Sequence, residues 1–147
     1  MSEIMTQLFI PPAILAAIRE QAQCAYPREA CGFLLGVFRG GGGHVRQAMH
    51  SPNAAAAEKQ MQAYTIDPRY WMRAEKQAAA EGLEIIGIYH SHPDQTATIS
   101  QTDIAALWPN LIYLIVSSGG HRDHPPMAWA LDETTGGARL CTLNVVE

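Results

Sequence analysis

The sequence has little positive charge, few cysteines and no long apolar run. Ten lysines and arginines are spread over 147 residues against fourteen acids, which gives a net charge of −4. A basic face for nucleic acid is therefore not expected. The apolar runs are too short to cross a bilayer, and the N-terminal MSEIMTQLF lacks the basic start and apolar core of a signal peptide. We expect a cytoplasmic protein that binds neither nucleic acid nor membranes.

The cysteines exclude a further group of functions. Cys24, Cys31 and Cys141 are odd in number and show no CxxC spacing, so a thiolate zinc site or a redox motif is not expected. We predict that all of them are buried free thiols.

Length and composition predict one folded domain. The chain of 147 residues is 48% hydrophobic and 16% charged, which suits a globular protein with a buried core. The sequence shows no internal repeat, low-complexity tract or linker. We therefore expect a single domain over residues 1–147.

The hydrophobic patterning alternates between helix and strand signals. Helices are predicted from Pro12 to just before Pro27, from Asp67 to Gly82, and over residues 100–108. Strands are predicted over residues 7–10, 30–38, 44–51, 63–66, 83–90, 110–118, 127–132 and 138–146. This order predicts a mixed α/β fold in which helices flank a central sheet.

Two histidines stand at the end of the predicted strand 83–90, in the stretch HSHPDQTATISQTD. His90 and His92 are two residues apart, so their side chains leave an extended chain on the same face. Asp103 falls in the first turn of a helix capped by Ser100, where its carboxylate can face the histidines. Two histidines and one aspartate are good Zn²⁺ ligands and leave a fourth position for water. The alternative is a surface loop with a chance HxH, in which Ser100 and Asp103 only begin the helix.

Glu29 is the candidate for the base that a hydrolytic zinc site needs. It precedes the apolar strand ACGFLLG and is in phase with Cys31, Phe33 and Leu35, so its carboxylate faces their side of the sheet. A carboxylate beside an apolar strand is costly unless it has a task or a partner. Next to a zinc-bound water it could take a proton and pass it to a leaving amine. The alternative is a strand-edge acid in solvent, or one paired with the neighbours of Arg28.

Together these positions resemble the JAMM (MPN+) metalloprotease motif. The family pattern is a distant Glu, then His-x-His, then Ser-x-x-Asp, and the chain has Glu29, His90, His92, Ser100 and Asp103 at the family's spacing. The segment YTIDPRYWMRAEKQAAAEGLEIIGIYHSHP is similar to the one that leads into the site in stand-alone prokaryotic members, and the resemblance covers nearly the whole chain. It implies the MPN/JAB fold, a layered α/β architecture somewhat similar to that of the cytidine deaminases.

The resemblance implies a role for each of these residues. His90, His92 and Asp103 would bind one Zn²⁺, and Glu29 would act as general acid/base on a water that is the fourth ligand. Ser100 would donate a hydrogen bond to the oxyanion and would also cap the helix.

Other metalloenzyme families fit the sequence less well. There is no HExxH, and the histidine pair is followed by Pro93 without the HxE or CxE and PCxxC pattern of zinc deaminases. An amidohydrolase barrel needs far more chain. The chain departs from the JAMM pattern at Ile99, where the family usually has proline. This change alters the loop but removes no chemical group.

The resemblance also implies a substrate class, namely amide bonds after the C-terminal Gly-Gly tail of a ubiquitin-like protein. Between Asp103 and Leu131 little room is left for the insertions of members that cleave ubiquitin chains. We therefore expect processing of a sulfur carrier of the ThiS or MoaD type. The alternatives are removal of a bacterial ubiquitin-like modifier from its targets, hydrolysis of an unrelated small amide, and a non-catalytic MPN scaffold.

The substrate tail is expected to lie beside a strand edge. The candidate edges are residues 63–66 and 117–124, with loop 52–62 as one wall. Trp71, Trp108 and Met61 are candidate partner contacts, although side chains of this kind are more often buried in the core. Trp108, on a predicted amphipathic helix, is expected in the core. His121 and His124 are interpreted as exposed loop residues.

Overall fold

The computed structural model describes residues 5–147. Within that range the helices are α1 (Pro12–Ala25), α2 (Pro68–Ala80) and α3 (Gln101–Ala105), with single 3₁₀ turns at Ala57–Lys59 and Gly119–His121. The strands are β1 (Gln7–Ile10), β2 (Cys31–Arg39), β3 (Gly42–Ser51), β4 (Glu84–Pro93), β5 (Ile112–Ser118), β6 (Met127–Leu131) and β7 (Ala138–Val145). Across the described residues no helix is long and apolar enough to span a membrane.

The strands form one closed sheet in the order β1-β3-β2-β4-β5-β6-β7, in which β7 pairs with β1. The mixed α/β character is therefore confirmed, but the prediction of a central sheet flanked by helices is wrong because the sheet closes into a barrel. The closing strand is β1, in which Leu8 lies opposite Gly43 of β3 and Leu143 of β7. Local patterning cannot reveal this pairing, because it joins the two ends of the chain.

Two hydrophobic clusters hold the helices against the strands. Alternate residues of β2 enter different clusters, as the two-residue repeat of a strand requires. Leu34 joins the cluster that includes Ile18 of α1, and Phe33 joins the cluster that includes Ala74 of α2. The start of α2 is fixed by Asp67, whose side chain accepts a hydrogen bond from the Arg69 backbone N–H, as the sequence predicted.

Strands β4 and β5 run parallel and close together. A Cβ on Gly87 would overlap the carbonyl oxygen of Ile112, so the missing side chain allows this approach. The pairing continues to Pro93 opposite Ser118. The pair therefore carries the predicted metal-binding histidines to one end of the barrel.

Residues 63–66 are not a strand, contrary to the prediction. Asn53 binds their backbone groups, because its Nδ2 donates to the Ala63 carbonyl at 3.0 Å and its Oδ1 accepts from the Thr65 N–H at 3.1 Å. The Ala54 N–H also donates to the Thr65 carbonyl at 2.8 Å. A side chain and a single backbone N–H thus replace the ladder partner that would have made the segment a strand.

Trp108 is exposed, and the prediction of a core position is wrong. Helix α3 ends at Ala105 instead of continuing to Trp108, and Pro109 disfavours helical geometry at Trp108 itself. The amphipathic pattern therefore stops short of the indole, which is 65% exposed.

The cysteine prediction holds for two of the three thiols. Cys31 and Cys141 are buried and free, whereas Cys24 is free but exposed. Helix α1 buries Leu15, Ile18 and Ala22, and Cys24 lies on the opposite face of that helix.

Candidate metal centre

His90 and His92 lie side by side at the end of β4, as their spacing predicted. Cys31 of β2 is the pairing partner of His90, and Ser117 of β5 is the partner of His92. Both imidazoles are buried, and their Nε2 atoms are 3.2 Å apart. Strand geometry therefore directs two ring nitrogens into one small space.

Asp103 completes the group from helix α3. Its Oδ2 is 2.9 Å from Nε2 of His92, and its Oδ1 is 3.3 Å from Nε2 of His90. One ligand atom from each of the three side chains lies within 4.8 Å of the others. The loop after Pro93 thus brings the aspartate back onto the histidines, and the alternative of an unrelated surface loop is wrong.

Ser100 and Asp103 form a capping box at the start of α3. The Asp103 N–H donates to Ser100 Oγ at 3.0 Å, and the Ser100 N–H donates to Asp103 Oδ2 at 3.1 Å. The hydroxyl acts as an acceptor in this cap, so its own proton is still available to a further acceptor. The helix start and an oxyanion role for Ser100 are therefore compatible.

The ring of His92 is oriented by a backbone carbonyl. Its Nδ1 donates to the carbonyl of Thr96 at 3.0 Å, which leaves Nε2 as the ligand atom. Burial opposes the charged form of His92, but its hydrogen bonds to Asp103 and Thr96 outweigh burial and raise its pKa. Burial lowers the pKa of His90, and the ring of Tyr64 stacks on that of His90 with centroids 4.5 Å apart.

The donor set fits a zinc ion. Tetrahedral zinc with bonds of about 2.0–2.1 Å separates its ligand atoms by about 3.3 Å. Here the two Nε2 atoms are 3.2 Å apart, and the Asp103 carboxylate lies 2.9 Å from one of them through Oδ2 and 3.3 Å from the other through Oδ1. Burial alone would raise the pKa of Asp103, but hydrogen bonds from both histidines hold it far below its usual range. The carboxylate is therefore ionised, as a metal ligand must be.

Glu29 is buried beside this group, with 5% of its surface exposed. Its Oε1 makes no hydrogen bond within the described part of the chain. Burial raises the pKa of Glu29 to about 8, the charge of His92 lowers it, and the charge of Asp103 adds to the rise. The alternative of a solvent-exposed strand-edge acid is wrong, since the side chain is enclosed and feels the charges of two of the three metal-binding candidates.

Comparison with known proteins agrees with the geometry. The chain matches Prok-JAB, described as prokaryotic homologs of the JAB domain, over residues 11–132. The chain belongs to this family. The resemblance to stand-alone prokaryotic JAMM proteins is thereby confirmed.

Relatives of this Prok-JAB chain include two named proteins. A protein of Haloferax volcanii named desampylase is 35% identical over 109 residues, covering 74% of this chain and 76% of its own. A protein of Thermus thermophilus named probable TtuB-protein conjugate cleaving protease is 30% identical over 115 residues, covering 78% and 73%. A solution structure from Desulfitobacterium hafniense has a TM-score of 0.82 at 25% identity and covers 95% of this chain and 93% of its own.

Two contacts that support the Prok-JAB site were not predicted from the sequence. Ser91, between the two histidines, accepts from the Ala30 N–H through Oγ at 2.8 Å and donates its own N–H to the Ala30 carbonyl at 3.1 Å. Asn53 donates to the Glu29 carbonyl at 3.2 Å. Both hold the segment that carries Glu29, and neither belongs to a recognisable sequence pattern.

A third unpredicted contact anchors the loop after the histidines. Asp94 has a φ of 57° and accepts hydrogen bonds from Tyr26 Oη at 2.8 Å and from the Gly120 N–H at 2.9 Å. An aspartate directly after proline is a common turn signal, and that signal could have suggested this anchor.

His121 and His124 lie apart from the metal-binding group. Their ring centroids are 4.6 Å apart, and neither belongs to the cluster of three possible ligands found among the described residues. His124 is exposed as predicted, whereas His121 is half-buried.

Proposed function

We propose that the protein is a zinc-dependent isopeptidase that removes a ubiquitin-like modifier from other proteins, and that residues 1–147 form its catalytic domain. The observation that carries this proposal is the buried Glu29 beside the converging His90, His92 and Asp103. The relative named as a conjugate cleaving protease supports the same substrate class. A scaffold that only holds partners would have no need of this set.

His90, His92 and Asp103 would hold the ion through the two Nε2 atoms and a carboxylate oxygen. Zinc, when bound, supplies a Lewis acid that activates water and polarises the amide carbonyl. The Thr96 carbonyl keeps the ring of His92 in the ligating orientation.

Glu29 would move the proton in the reaction. Its carboxylate takes a proton from the attacking water and then delivers it to the nitrogen of the leaving amine, so that the C–N bond breaks with a neutral amine. Burial raises the pKa of Glu29 in the metal-free protein, so its carboxylate would be a stronger base than a solvated one, and a neighbouring dication would favour the ionised form that accepts the proton.

Ser100 would stabilise the negative charge that develops on the carbonyl oxygen. Its Oγ is fixed by the Asp103 N–H, which directs the free hydroxyl proton away from the helix. A preorganised donor of this kind is worth roughly 100- to 1000-fold in rate.

The tail of the modifier would pair with the backbone of residues 63–66. Ala63 and Thr65 direct their backbone groups towards Asn53 and Ala54. In an extended chain the backbone groups of the residue between them, Tyr64, point the opposite way, and within the described residues they make no hydrogen bond. These groups would bind an extended peptide on the side of the metal centre.

Trimming of a sulfur carrier of the ThiS or MoaD type is the second candidate, because it uses the same residues on the same kind of tail.

To test the proposal, zinc-loaded protein is given two substrates: a ubiquitin-like protein joined to a lysine by an isopeptide bond, and a sulfur carrier with a short C-terminal extension. We expect the first to be cleaved faster, and Glu29→Gln to lower kcat/KM by about 100-fold or more while one zinc per chain is retained. Equal cleavage by the variant would remove Glu29 from the mechanism, and no cleavage of either substrate would favour a scaffold.

A further inference from the structure

An open pocket of about 210 Å³ adjoins the metal centre. At one end it is lined by Asp103 and by Tyr64, whose ring stacks on His90. The pocket therefore begins where the ion would be bound, within reach of a peptide whose scissile bond lies there.

The rest of the lining combines apolar and aromatic side chains with the hydroxyls of two threonines, Thr65 and Thr102. The pocket's other large lining side chains are Ile66, Trp71, Ile88, Trp108 and Tyr113, and Asp103 is the one ionisable acid or base apart from the tyrosines. The Asp103 carboxylate is already paired with His90 and His92, so a charged side chain would find no free counter-ion in the pocket, whereas an aliphatic or aromatic side chain would lose its contact with water.

The volume suits one large side chain. A cavity of about 150 Å³ lined by apolar groups holds a benzene molecule, so 210 Å³ accommodates a leucine, methionine or phenylalanine side chain that enters from the open side.

Trp108 forms an exposed border of the pocket. Its backbone N–H donates to the hydroxyl of Tyr113 at 2.9 Å, which fixes the chain at this position. Its indole is nevertheless 65% exposed. Within the part of the chain that the structure describes, no other segment covers this ring, and a substrate side chain in the pocket would do so.

Resting on the proposed isopeptidase function, we propose that this pocket binds the side chain that precedes the Gly-Gly pair of the modifier and selects a large apolar residue there. The two glycines carry no side chain, so that residue provides the first side chain on the modifier's side of the scissile bond. It is about 7 Å along an extended chain from the bond. The occupant is thus part of the substrate rather than a separate ligand.

The test uses zinc-loaded protein and the peptides Ala-Ala-X-Gly-Gly, in which X is leucine, phenylalanine, serine or aspartate. Their binding as free carboxylates to Glu29→Gln is measured by calorimetry. Their cleavage by the wild-type protein is measured after each peptide is joined to the ε-amine of a lysine dipeptide. We expect leucine and phenylalanine to bind and react at least ten-fold better than serine, and aspartate to be worst.

Two variants separate the pocket from the reaction. Trp108→Ala should reduce the preference for leucine over serine to less than three-fold, mainly through KM, while zinc content stays unchanged. Leu140→Ala, which removes an exposed apolar side chain on β7, should keep the full preference.

The outcomes distinguish the two proposals. If all four peptides bind and react alike, or if selectivity follows the residue after the scissile bond, the pocket assignment is overturned while the isopeptidase function stands. If no peptide is cleaved but leucine binding still depends on Trp108, the proposed function fails and the pocket assignment stands.

Discussion

Glu29 makes the stability of the metal-free protein depend on pH in a defined direction. Burial raises its pKa from 4.5 to about 8. Below pH 4.5 both the folded and the unfolded chain carry the proton, so no penalty arises. Between pH 4.5 and about pH 8 the unfolded chain has released the proton of Glu29, whereas the folded chain retains it. Each pH unit then costs the folded state about 1.4 kcal/mol.

The size of the penalty follows from that interval. From 4.5 to about 8 the free energy of unfolding would fall by about 5 kcal/mol at most, and above the upper value the penalty is constant. Since water entry and local relaxation reduce the cost of a buried charge, we expect about 2–4 kcal/mol. Glu29→Gln removes the charge and keeps the shape, so the metal-free variant should exceed the wild type by this amount at pH 8.5 and match it at about pH 4.5.

Urea denaturation of chelator-treated protein across this pH range measures the difference directly. Glu81→Gln, at the exposed end of α2, is the control for loss of one negative charge. Zinc should shrink the advantage of Glu29→Gln, because a neighbouring dication stabilises the carboxylate. An advantage that is equal at both pH values, or absent at pH 8.5, would refute a buried Glu29 with a raised pKa.

Three further pairs of variants have defined outcomes. Ser100→Ala should lower kcat by roughly 100-fold or more and reduce stability by about 1 kcal/mol through loss of the cap. Ser100→Thr should retain much of the rate and of the stability. Equal rates for the two variants would count against an oxyanion role. Asp94→Ala should weaken zinc binding by roughly ten-fold in a chelator competition, because it releases the loop whose Thr96 orients His92. Asp94→Asn should restore most of the zinc affinity, since asparagine tolerates a positive φ, its Oδ1 can accept from the Gly120 N–H, and its Nδ2 can donate to the Tyr26 hydroxyl oxygen. Gly87→Ala should lower the free energy of unfolding, measured by urea denaturation, by about 3 kcal/mol because the new Cβ meets the β5 backbone. Gly40→Ala, with φ of 59° but open space around it, should lower it by only about 1–2 kcal/mol. Similar losses for the two variants would contradict the tight β4–β5 contact.

The convergence of His90, His92 and Asp103 could be predicted from the sequence because their placement depends on local geometry. The two-residue repeat of a strand puts His90 and His92 on one face. The capping box of Ser100 and Asp103 is visible as a short motif. Neither inference needs knowledge of distant contacts, and the structure contains both features.

The features that could not be predicted depend on contacts between distant segments. Closure of the barrel needs β1 to pair with β7 from the other end of the chain. Residues 63–66 lose their strand partner to a single asparagine, Asn53. The burial of Glu29 depends on how the loop with Asn53 and the strand with Ser91 enclose it. None of these contacts leaves a periodic signal in the sequence.

The most direct test of a metal-dependent isopeptidase is to return zinc stepwise to chelator-treated protein. At each step, cleavage of an isopeptide-linked ubiquitin-like conjugate is measured. Because one group of three ligands is present among the described residues, cleavage should be absent without metal, rise in proportion to added zinc and reach its maximum at one zinc per chain. His92→Ala should show no such rise. Full cleavage in the presence of chelator, or a zinc-loaded protein that leaves the conjugate intact, would contradict the proposed function.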